Sequence, residues 1–203
     1  SASIGADSLI EFGAVIGEDV VVGANCRIGS HVVIHAGTHI GDRVVIQAHS
    51  VIGSDAFYYK KRPEGFDRLL STSKVAIEHD VEIGASCTID RGVSATTRIG
   101  SGTKIDNQVH IGHDTVIGRN VLLAAQVGIA GCAVLEDEVT LWGQVGVNSS
   151  VRIEKKAVVL GQAGVTKSLE GNKTYFGTPS EDARRKFREL AALRNLPTAL
   201  EQI

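Results

Sequence analysis

A chain of 203 residues carrying a formal net charge of −2 is long enough for one domain with a substantial core, and its charge gives no argument for nucleic acid or for an anionic membrane surface. Aromatic residues make up only 4% while glycine numbers 23, which favours β structure built from small aliphatic units and tight corners over a large aromatic core. No apolar run approaches the roughly 18 residues that a transmembrane helix needs, and no secretory apolar segment is present.

The first element is a repeat. Aliphatic residues recur at every sixth position from Ile4 through Ile10, Ile16, Val22, Ile28, Ile34, Ile40 and Ile46 to Ile52. The phase breaks over residues 54–76, resumes at Ile77, Ile83 and Ile89, slips by four residues, and then holds from Ile99 through Ile105, Ile111, Ile117, Leu123, Ile129, Leu135, Leu141, Val147, Ile153 and Val159 to Val165. A period of six matches neither the helical 3.6 nor the strand period of two. It matches a short strand followed by a corner, three to a turn, stacked as a solenoid. The residue after the beat is often glycine (Gly5, Gly17, Gly29, Gly41, Gly84, Gly100, Gly112, Gly118), read as permissive backbone for the corner. A small or β-branched residue four after the beat, such as Cys26, Val44, Thr115 or Ala133, completes a thin triangular core. The expected fold is therefore all-β, a parallel β-helix of about eight coils over residues 1–179, with residues 180–203 as a helical tail.

Three segments leave the repeat. Residues 54–76 form an excursion rich in aromatic and basic side chains, including Phe57, Tyr58, Tyr59, Lys60, Lys61, Arg62 and Phe66; an interruption this long is usually functional or interfacial. Asp90 to Arg98 is a corner enlarged by four residues. In the tail, Ser180 and Asp182 read as a helix start, and Ala183 to Leu193 as a helix bearing Arg184, Arg185, Lys186, Arg188 and, just beyond, Arg194. That helix suits a cap or subunit contact, or a surface for an acidic carrier protein. The flat aliphatic outer faces of so thin a solenoid make oligomerisation a physical expectation.

Chemistry concentrates in Ile105-Asp106-Asn107-Gln108-Val109-His110-Ile111-Gly112-His113-Asp114. The repeat demands Ile105 and Ile111 but not Asp106, His110, His113 or Asp114. His113 falls two residues after an inward beat, outside the core slot, where a neutral imidazole suits a general base near pH 7. Asp114 could orient it, although neighbours along a strand face opposite ways. The histidine spacings lose their helical meaning in short strands, so no metal is expected. Cys26, Cys87 and Cys132 show no paired spacing and read as free thiols in a reducing compartment, Cys132 being the one that could be reactive.

Gly53-Ser54-Asp55-Ala56-Phe57, Thr88-Ile89-Asp90-Arg91-Gly92, Ile105-Asp106-Asn107-Gln108, Ile111-Gly112-His113 and Tyr175-Phe176-Gly177-Thr178-Pro179 together resemble the UDP-3-O-(3-hydroxyacyl)glucosamine N-acyltransferases of lipid A biosynthesis. The related O-acyltransferase has a segment similar to His110-Ile111-Gly112-His113-Asp114. The resemblance implies a left-handed helix and a cytoplasmic homotrimer with sites between subunits. It implies transfer of a hydroxyacyl group from the phosphopantetheine arm of acyl carrier protein, with no tightly bound cofactor, to the 2-amino group of a UDP-sugar. His113 would be the general base and the Gly131 backbone N–H the oxyanion donor. Asp106, Asn107, His110, Asp114 and Phe57 would line the substrate, and the family's second histidine matches Ser150. The family's N-terminal uridine-binding domain has no counterpart in this sequence, which also contains no methionine: either that domain was removed, or the chain is a short relative with a different way of holding its acceptor.

Overall fold

The computed structural model describes residues 1–200; the last three residues of the tail lie outside it. Two-residue strands alternate with corners, and strands three apart in the chain pair in parallel, so three sheets form the faces of a triangular solenoid. Ser3–Ile4 begins the first face, Leu9–Ile10 the second and Val15–Ile16 the third. Eight strands stack on the first and third faces, giving eight complete coils. A ninth, incomplete coil that the period does not announce follows: Leu169 bridges to Ile153, and Thr174–Phe176 pairs in parallel with Val158–Val159. The architecture is the left-handed parallel β-helix with a C-terminal helix, Ala183–Leu200.

The beat residues point inward and lie directly over one another: Ile99 on Ile117, Ile105 on Leu123, Ile111 on Ile129. Ile28, Ile34, Ile52, Ile89, Ile111 and Ile129 are wholly buried, each worth about 1.5–3 kcal/mol of transfer free energy. The smaller slot is buried as well, through Val20, Cys26, Val44, Thr115 and Ala133. Ile4, Ile10 and Ile16 of the first coil are less covered because no coil of this chain lies beneath them.

The corners are turned differently from the sequence expectation. The left-handed backbone falls three residues after the beat, and mostly on residues other than glycine, among them Asp7 (φ 57°), Asn25 (56°), Gln108 (60°), Asp114 (55°) and Cys132 (63°). The glycine directly after the beat serves close approach: a Cβ on Gly112 would sit 2.7 Å from the Gly131 nitrogen, and one on Gly100 2.5 Å from the Gly118 oxygen. Coils stack at the strand–strand spacing of about 4.8 Å, which leaves no room for a side chain directed along the stack.

Both interruptions loop out, and the stack resumes in register beyond them. Ile77 still lies over Ile40, and Ile99 over Ile77. The first excursion is narrower than its sequence bounds, since Ser54 ends a strand and Val75–Ile77 is already a strand of the wall. Its middle is an antiparallel hairpin, Tyr59–Arg62 with Gly65–Arg68. The tail helix opens where Asp182 Oδ1 accepts the Arg185 N–H at 3.1 Å, while Ser180 is buried and donates to the Gly164 carbonyl at 3.0 Å.

Candidate active site

The third face carries a cleft of about 580 Å³, within the range of small-molecule sites. Along this face the outward residues of successive strands are Thr88, His110, Gly128, Gly146 and Gly164, in one column 18 residues apart from His110 onward. A Cβ on Gly128 or Gly146 would meet nothing within 4 Å, so these glycines are not required by packing. What their lack of side chains does is leave a trough floored by backbone. His110, His113 and Asp90 stand at one end, Thr166 and Thr178 at the other, and Asn148 lies between.

His113 Nδ1 and Asp114 Oδ2 lie 2.8 Å apart, with side chains only 14% and 10% exposed. Adjacent residues on a strand would diverge, but Asp114 occupies the left-handed corner, and the reversed backbone brings its carboxylate alongside the imidazole. The enlarged corner then explains itself. The backbone N–H groups of Val93 (3.3 Å), Ser94 (3.1 Å) and Ala95 (2.6 Å) all donate to the Asp114 carboxylate. Burial by itself would raise the Asp114 carboxyl, but the His113 hydrogen bond and these three N–H groups outweigh it and hold it below the ordinary carboxylate value. An ionised carboxylate only accepts, so the neutral imidazole of His113 carries its proton on Nδ1 and presents Nε2 as the acceptor.

Nε2 lies over Gly131, where an added Cβ would sit 2.5 Å from it. The Gly131 N–H donates to no group among the described residues, although its carbonyl accepts from Ser150 at 3.2 Å. From the excursion, the Tyr58 ring packs on the His113 imidazole with centroids 5.2 Å apart. Phe57 walls the main cleft and also a second, apolar hollow of about 450 Å³ shared with Tyr58, Tyr59 and Phe66. Asn148 and the glycine column were not singled out from sequence, and Tyr58 and Asp90 were named only within the excursion and a quoted motif, with no site role; the 18-residue recurrence of Gly128, Gly146 and Gly164 was the available signal.

Of the expected site residues, Phe57, His110, His113 and Gly131 line the cleft, and Asp114 supports it from behind. His110 Nδ1 is 2.8 Å from Thr88 Oγ1. Asp106 and Asn107 lie outside the cleft on the preceding corner, where Asn107 Oδ1 accepts the Ala85 N–H and Asp106 Oδ1 accepts the Asn107 N–H, both at 2.7 Å. Ser150 is an exposed corner residue at φ 60° that does not reach the cleft. Cys132 brings its sulfur within 4.8 Å of the His113 and Asp114 ligand atoms, but burial and the Asp114 charge push its thiol up, away from the reactive thiolate.

The chain matches the bacterial transferase hexapeptide model over residues 1–36 and 96–131 and the succinyl-transferase hexapeptide model over residues 20–54, in keeping with its left-handed solenoid of six-residue steps. Among named proteins it is similar to the UDP-3-O-acylglucosamine N-acyltransferases. It shares 50% identity over 74 residues with that of Rhizobium johnstonii, covering 36% of this chain and 21% of the relative, and 60% over 62 residues with that of Nitrobacter hamburgensis, covering 30% and 17%. The match thus spans about a fifth of the length of these relatives. Among solved structures, the UDP-N-acetylglucosamine acyltransferase of Francisella novicida superposes with a TM-score of 0.70 at 29% identity, over 90% of this chain and 68% of that one. The Bacteroides fragilis UDP-N-acetylglucosamine acyltransferase shares the fold, with a TM-score of 0.81 at 23% identity over 90% and 69%. No described helix is long and apolar enough to cross a membrane.

Proposed function

We propose that the chain is an acyltransferase that moves a 3-hydroxyacyl group from acyl carrier protein to the 2-amino group of a UDP-3-O-acylglucosamine; the names of its sequence relatives carry the N-acyl transfer and the UDP-3-O-acylglucosamine, and the motif resemblance the donor and the position. The observation that carries this reading is the placement of the free Nε2 of His113, held by Asp114, over the unpartnered Gly131 N–H at the head of the glycine trough. An acyl chain on a thin phosphopantetheine arm suits a trough without side chains. The acceptor amine, as its free base, attacks the thioester carbonyl carbon and gives its proton to His113 Nε2. The oxyanion takes the Gly131 N–H. Collapse expels the arm's thiolate, which receives the proton from His113, leaving an amide and a thiol. Asp114 stays ionised throughout and stabilises the imidazolium.

His110 and Phe57 bound the acceptor end. Asp106, Asn107 and Ser150 reach a substrate only across a subunit boundary, which a homotrimer supplies; the exposed Val116, Leu122 and Trp142 support such a contact. Arg184, Arg188 and Arg194 of the tail helix, which form no ion pair among the described residues, suit an acidic carrier protein of the cytoplasm. The test is thioester consumption with hydroxyacyl-carrier protein and with acetyl-CoA as donors, in the presence of the amino sugar. Turnover confined to acetyl-CoA, or undiminished turnover by His113→Ala, overturns the reading.

A further inference from the structure

Asp90 is the one acid of the cleft wall that the mechanism above leaves unused. It is 6% exposed and lines the cleft with His110 and His113. Its position after the beat is one that glycine commonly occupies elsewhere in the chain, and the strand register shifts there: Ile89 pairs with Ile52 but Asp90 with Ser54, leaving Gly53 as the extra residue of the neighbouring strand and setting Ser54 opposite Asp90. Oδ1 accepts the Ser54 hydroxyl at 2.9 Å. His110 Nε2 stands 3.9 Å from Oδ2, beyond hydrogen-bonding distance, and no lysine or arginine among the described residues pairs with the carboxylate. Burial pushes the Asp90 carboxyl up, with partial relief from Ser54, His110, His113 and the Phe57 backbone N–H. A buried carboxylate facing a cleft without a fixed counter-ion is a receptor for a cation that arrives from outside.

We propose that Asp90 is the residue by which the cleft selects an amine acceptor: its carboxylate binds the acceptor's ammonium group, which a hydroxyl cannot replace. This rests on the acyl-transfer reading and deepens it. The bound ammonium releases one proton to water before attack, and the covalent step then proceeds through His113 as described. Ser54 holds the carboxylate on the cleft wall, where no lysine or arginine among the described residues pairs with it.

The test is calorimetric binding to the full chain, with UDP-3-O-acylglucosamine and its hydroxyl counterpart UDP-3-O-acylglucose as the probes. Asp90→Asn should weaken the amine by about thirtyfold, the lower range for removing one partner of a buried charge pair, and leave the hydroxyl compound within about twofold. Asp90→Glu should restore part of the preference. Equal weakening of both compounds by Asp90→Asn would mean that Asp90 merely shapes the cleft wall, and an undiminished amine preference would mean that selection lies elsewhere; either overturns the inference. A wild-type chain that binds neither compound overturns it too. Binding of the amine through Asp90 by a chain that transfers no acyl group would retain the inference and remove the acyl-transfer reading.

Discussion

The hydrogen bond between His113 Nδ1 and Asp114 Oδ2, at 2.8 Å, joins two residues adjacent in the chain, and it exists because Asp114 turns the corner at φ 55°. The same carboxylate collects three backbone N–H groups from the enlarged corner at residues 93–95. Four extra residues in the repeat therefore serve to fix one imidazole.

Removing that imidazole should abolish function without unfolding the solenoid. His113 lies outside the core, so His113→Ala is expected to keep its circular dichroism and thermal midpoint while thioester turnover falls by about 10²–10⁴, the usual contribution of a general base. A smaller loss, or a collapsed fold, would contradict the role.

Asp114→Asn should act on both rate and stability. An amide cannot stabilise the imidazolium as a carboxylate does, so turnover should fall by about 10² or more. The folded-state carboxyl is held below its ordinary value. Its contribution is therefore complete above the unfolded value of about 3.9 and is lost as pH falls through the lower folded value. Acid titrations followed by circular dichroism should show the wild type losing stability below about pH 4 relative to its own neutral value, with a flatter profile for Asp114→Asn.

Gly131→Ala should disable the site by steric means. The new Cβ would lie 2.5 Å from His113 Nε2, so the imidazole must swing away from the oxyanion donor. Turnover should fall by at least about tenfold with KM for the donor little changed, because the interaction lost is made only in the transition state.

The trough glycines behave differently, since a side chain at Gly146 meets no protein atom. Gly146→Ile is expected to leave the thermal midpoint within a few degrees while blocking long acyl donors and sparing short ones. A series of donors of increasing chain length measures this; uniform activity across the series would mean that the trough does not hold the chain.

Core positions supply the contrast. Ile111 is wholly buried between Ile89 and Ile129 in the stack. Ile111→Ala should therefore destabilise by about 2–5 kcal/mol in denaturant unfolding, through lost burial and the cavity left behind.

The class of fold was legible because its cause is local and repeated: every sixth residue must be aliphatic for a thin core to close, and Ile4 to Val165 states that rule with two interruptions. His113 stood out as a candidate because the repeat had no packing use for a histidine at that position, and Gly131 entered only through the family resemblance; both line the cleft. The corner mechanism was not. Only the stacked backbone shows that Gly112 serves close approach and that Asp114 carries the turn. Nor could spacing along the chain bring Tyr58 onto His113, Asp90 into the cleft wall beside His110, or Gly128, Gly146 and Gly164 into one trough. Those relations arise between coils and between an excursion and the wall it crosses. They depend on how far the chain travels before it returns to the same face, a distance that the period implies but that only the stacked coils turn into contact.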